Sequence, residues 1–124
     1  MRVIVFAKST PETEAAQATQ LNERSAEDWA PMMRFHEELA AAGVLLASDR
    51  LEPTAKGARL RFDGPQPTVT DGPFTEAKEL IAGFWLWQVG SLDEAIEWLK
   101  RAPFGRGMEL EIRPIAEMEP PAAP

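Results

Sequence analysis

The chain has 124 residues, 44% of them hydrophobic and 27% charged, which is enough for one ordinary domain with its own core. Thirteen basic residues against twenty acidic ones leave a net charge of −7, which argues against nucleic acid and anionic membrane as partners, since neutralising phosphate takes a basic face. The absence of cysteine excludes disulfides, thiolate catalysis and cysteine-built metal sites, and it fits a reducing, cytoplasmic setting.

Residues 2–8 read as a strand that is apolar on both faces, with Val3, Val5 and Ala7 on one and Ile4 and Phe6 on the other. The run is too short for the apolar centre of a signal peptide, and no stretch of the chain reaches bilayer length. In the polar segment that follows, Thr10-Pro11 with Glu12 and Glu14 marks the start of a short surface helix. The main helix is expected over residues 29–42, capped by Asp28, with Pro31 in its first turn and Gly43 ending it. Its inward stripe reads Trp29, Met32, Met33, His36, Leu39 and Ala40.

Residues 44–51 form a second strand, and residues 58–63 alternate strictly, so that one of their faces meets water. Residues 68–70 are a short extended piece. Residues 81–89 are again apolar on both faces, with Trp85, Trp87 and Val89 opposite Phe84 and Leu86. Ser91-Leu92-Asp93-Glu94 is a capping box opening a helix that runs to about Arg101. Residues 108–115 alternate as a half-wet strand, with Pro114 at an edge or an end. We take residues 1–116 as one domain and residues 117–124 as a loose proline-rich tail.

Two strands greasy on both faces, separated by amphipathic ones, select an α+β fold: a βαββαβ antiparallel sheet with the first and third core strands in the middle and helices on one face. Two helices cover only one face of such a sheet. The other would expose a large apolar patch, so a homodimer packed sheet to sheet is expected.

Among candidate chemical groups, His36 is the sole histidine. It reads either as a half-buried core residue or as an acid–base group at a cleft rim. Asp71-Gly72-Pro73-Phe74 is a turn signal, followed at once by Glu76, Lys78 and Glu79. Either this is an exposed charged turn, or it lines a pocket in which Lys78 binds an acidic ligand group and Asp71 or Glu79 moves a proton. Trp85 and Trp87 are core or interface residues on one reading and a stacking platform on the other. Arg59 and Arg61 read as solvated. With one histidine and no cysteine, neither a metal nor another cofactor is expected.

The stretch Asp71-Gly72-Pro73-Phe74-Thr75-Glu76-Ala77-Lys78-Glu79, then Gly83-Phe84-Trp85 and the helix opened by Ser91, resembles the DGPF branch of the YCII-related domains. Phe35-His36-Glu37-Glu38-Leu39 followed by Gly43-Val44 fits the same branch. The resemblance covers nearly the whole chain and implies a ferredoxin-like fold in a dimeric α/β-barrel-type assembly. Some family members are treated as enzymes with a His–Asp pair in the cleft, one relative is linked to dehydrochlorination of aromatic catabolites, and DGPF members are associated with sigma factors. Counting back from Gly43, the family histidine falls near Met32, while His36 stands one helical turn later. Two functions follow as expectations. One is a small-molecule lyase or isomerase using Asp71 and His36 as catalytic groups, with Phe74, Lys78, Glu79, Trp85 and Trp87 binding the ligand. The other is a non-catalytic ligand-binding or regulatory protein linked to sigma-factor-dependent transcription.

Overall fold

A computed structural model describes residues 1–20, 26–77 and 79–117. The expected tail beyond Glu117 and the Lys78 side chain lie outside the described residues. Along the chain run β1 (Arg2–Ser9), α1 (Pro11–Gln20), α2 (Ala26–Ala41), β2 (Leu45–Arg50), a single helical turn (Thr54–Lys56), β3 (Ala58–Arg61), β4 (Thr68–Asp71), β5 (Leu80–Gln88), α3 (Leu92–Lys100) and β6 (Leu110–Pro114).

The main sheet has the order β2-β5-β1-β6, antiparallel throughout. The two doubly apolar strands, β1 and β5, are the central pair, as their patterning requires, and the order is compatible with a ferredoxin-like α+β fold. Pro114 ends the edge strand β6, where its missing N–H breaks no inner ladder.

Cross-strand register assigns the two faces. Val3 pairs with Trp87 and Val5 with Trp85, and all four are buried under α2 and α3 with Phe35, Leu39 and Ala95. Each such fully buried large side chain contributes roughly 1.5–3 kcal/mol relative to exposure. Trp85 and Trp87 stack with ring centres 5.4 Å apart, and the Phe35 ring meets both edge-on. On the opposite face Ile4 pairs with Leu86 and Phe6 with Phe84, all four half-buried.

Three sequence expectations are corrected. Helix α2 begins at Ala26, so Asp28 lies in its first turn and Pro31 is its exposed sixth residue. Its buried stripe is centred on Phe35 and Leu39, while Met33 and Ala40 are exposed. The helix is rotated so that the larger Phe35 ring reaches the tryptophans. The hairpin β3–β4 is exposed throughout, and its charged side is the engaged one. Arg59 pairs with Glu76 and lies over the Phe74 ring at 3.8 Å, whereas Leu60, Phe62 and Val69 are 56%, 76% and 61% exposed.

Local signals explain the helix ends. Thr10, just ahead of Pro11, and Thr13 in the first turn exchange side-chain-to-amide bonds, capping α1. Gly43 takes φ +72°, a left-handed conformation that suits glycine, and Val44 N–H returns to the Leu39 carbonyl to close α2. Ser91 Oγ accepts from Glu94 N–H at 3.1 Å, and Glu94 Oε2 reaches back to Gly90 N–H at 2.6 Å, one residue before the expected partner.

Candidate functional site

Along the helix-facing side of the sheet, side chains shrink from one end to the other. β5 carries Trp87, Trp85 and then Gly83; β1 carries Val3, Val5 and then Ala7. The large end fills the space under the helices. The small end leaves the first half of α2 standing over a floor of Ala7, Gly83 and Ser48. The result is a cleft of about 1280 Å³ walled by Trp29, Met32, His36, Trp85, Phe104 and Met108. Typical small-molecule sites hold roughly 300–1,000 Å³, so the cleft is roomy enough for a ligand. Its rim carries charges of both signs, among them Glu14, Arg50, Lys56 and Arg106. The Arg50 guanidinium lies over the Trp29 ring at 5.3 Å, and Lys56 pairs with Glu52.

His36 is fixed inside this cleft. The Trp85 indole N–H donates to its Nε2 at 2.8 Å. An indole has only a donor, so Nε2 must be the unprotonated nitrogen and a neutral ring carries its proton on Nδ1. Burial pushes the imidazole pKa below its ordinary value. A second cause acts the same way, because protonating Nε2 would set one donor against another. The sole histidine is held neutral, with its lone pair engaged by a tryptophan.

The other residues singled out in the sequence fall elsewhere. Trp85 stands at the boundary of core and cleft, 6% exposed, whereas Trp87 is fully buried with no accessible surface. Phe74 is buried beneath Arg59, and Asp71 is exposed at the end of β4. Glu79 bonds the Lys8 ammonium at 3.3 Å, and Lys8 also meets Glu111 at 3.2 Å, on the open side of the sheet. Glu111 first and then Glu79 raise the Lys8 pKa. The structure thus brings His36 and Trp85 together in the cleft and sets Asp71, Phe74 and Glu79 outside its lining. No group of three or more metal-ligating side chains occurs among the described residues. No helix there is long and apolar enough to cross a membrane.

The motif Asp71-Gly72-Pro73-Phe74 has a local structural task. Its Gly72–Pro73 peptide is cis, and Gly72 N–H bonds the Gly57 carbonyl at 3.0 Å. A Cβ on Gly72 would stand 1.7 Å from the Thr54 carbonyl oxygen, so the turn can lie against Thr54 only with glycine there. Phe74 N–H donates to Thr54 Oγ1 at 3.3 Å. Thr54 in turn gives both its N–H and its hydroxyl to Glu14 Oε1, at 2.6 and 2.8 Å. Glu14, which lines the cleft, was legible in the sequence only as an acidic residue near a helix start. Its partner stands 40 residues away, and no local pattern reports such a contact.

An antiparallel α+β sheet with an aromatic cleft under one helix defines the class of protein. Within it, the YCII-related domain matches residues 1–119. The chain is also similar to the uncharacterized protein R00369 of Rhizobium meliloti (strain 1021), 36% identical over 113 residues that span 89% of this chain and 88% of the relative. The chain belongs to the YCII-related domain family.

Proposed function

We propose that this protein is a small-molecule-binding member of its family, and that its ligand is a compact, largely apolar molecule held in the cleft between α2 and the sheet. The observation that carries the reading is the His36–Trp85 bond, which fixes a tryptophan edge as a cleft wall and engages the imidazole lone pair. A general base must present a free lone pair to its substrate, so His36 serves this site by holding Trp85. A His36–Asp71 acid–base pair finds less support, because Asp71 does not line the cleft. The motif from Asp71 to Glu79 supports a place in the DGPF branch, and the cysteine-free composition supports a cytoplasmic setting.

The test is titration of ethylbenzene, a purely apolar aromatic probe, followed by tryptophan fluorescence. The reading predicts a saturable change that Met32→Ser weakens several-fold. A response that does not saturate, or that Met32→Ser leaves unaltered, contradicts it.

The same proposal includes a homodimer closed on the open sheet face. Ile4, Phe6, Phe84 and Leu86 form an apolar centre there, bordered by Lys8, Glu111 and Arg113. An apolar centre inside a charged rim is the usual anatomy of a protein interface, and a second copy of this face would bury the apolar centre symmetrically.

A further inference from the structure

We propose that the turn formed by Asp71 to Phe74 serves to hold the Glu14 carboxylate at the cleft, where it accepts a hydrogen bond from a ligand that carries a hydroxyl or ammonium donor on an apolar body. This rests on the cleft being the ligand site and adds the polar group that sets which ligands enter it.

The direction of the network fixes its purpose. A threonine hydroxyl has one proton to give. Phe74 N–H occupies a lone pair of Thr54 Oγ1, which leaves the hydroxyl proton for Glu14 Oε1. The Thr54 amide adds a second donor to that same oxygen. Glu14 Oε1 is therefore held by two bonds, while Oε2 accepts none among the described residues. Glu14 is half-buried and lines the same cleft as Trp29 and Trp85. Lys56, the one lysine among the described lining residues, is engaged with Glu52, and the Arg50 guanidinium lies over Trp29. A clamped carboxylate with one uncommitted oxygen, in a cleft that also has aromatic walls, is a preorganised acceptor, and it favours a donor over another anion. Gly72 completes the device, since any side chain there would push the turn off Thr54.

A plain strut, tying α1 to the rest of the chain through the same bonds, would not discriminate among ligands. The experiment therefore titrates ethylbenzene, phenethyl alcohol, phenethylamine and hydrocinnamate into the full chain and into Glu14→Gln, Thr54→Val and Thr54→Ser. Glu14→Gln is expected to weaken the alcohol, the amine or both by roughly tenfold, the weight of a hydrogen bond to a charged group, with ethylbenzene changed by less than about twofold. Thr54→Val should act in the same direction, and Thr54→Ser, which keeps the hydroxyl, should preserve the parent pattern. Loss confined to the alcohol assigns a hydroxyl ligand, and loss confined to the amine an ammonium. Equal weakening of all probes, no weakening, or hydrocinnamate binding tightest would overturn the assignment of Glu14. If ethylbenzene binds saturably while the donors show no dependence on Glu14, the cleft stands and only this inference fails. If no probe binds saturably, both fall.

Discussion

His36 and Trp85, 49 positions apart, meet in one hydrogen bond of 2.8 Å that joins the middle of α2 to the centre of the sheet. The bond decides what the only histidine can do, because it takes the nitrogen a base would use. Burial lowers the His36 pKa from its ordinary value, and the facing indole donor opposes the imidazolium further. A proton-detected titration should place its midpoint below about 6.5. Trp85→Phe removes the donor but keeps most of the bulk, so the midpoint should move back upward. An unchanged midpoint would mean that burial alone sets it.

The same shift makes stability depend on pH. Since the folded pKa is depressed, the unfolded chain binds more protons below about pH 6.5 than the folded one does. Stability is therefore full above that value and declines as pH falls toward the folded pKa. Urea unfolding between about pH 7.5 and 5.5 should show the decline, and His36→Gln should flatten it. A wild-type profile that is flat or rises toward acid would contradict the assignment.

Gly72 should tolerate no side chain. Gly72→Ala drives a methyl group to 1.7 Å from the Thr54 carbonyl and should cost about 2 kcal/mol, measured by urea unfolding. Gly64→Ala, which meets nothing within 4 Å, is the control and should change stability by less than about 0.5 kcal/mol. Equal effects of the two substitutions would remove the argument for close approach.

The open sheet face should carry the homodimer. Leu86→Lys places a charge at its centre while leaving the helix side untouched. Sedimentation velocity at micromolar concentration should show a dimer for the parent chain and a monomer for the variant. A parent monomer would refute the assembly.

Much of the fold was legible because burial on both faces writes itself into the sequence as continuous apolar strands. β1 and β5 announced their central places, Ser91 and Gly43 marked helix ends, and Trp85 and Trp87 were correctly set on one face. The phase of α2 was misjudged because Met33 and Phe35 are both apolar, and only the packed tryptophans choose between them. The site was less legible. The cleft arises from what Ala7, Gly83 and Ser48 leave unfilled, and small residues carry no positive signal. The motif at Asp71 was conspicuous, yet its partners Thr54 and Glu14 come from distant segments and are joined by bonds that no spacing encodes.

The cleft is tested most directly by recording tryptophan indole and methionine methyl resonances while ethylbenzene is added. Saturable shifts are expected at Trp29, Trp85 and Met32, with Trp98 and Met1, which do not line the cleft, unmoved. Shifts confined to Trp98 and Met1, or none that saturate, would show that the cavity beneath α2 is not where this protein takes its ligand.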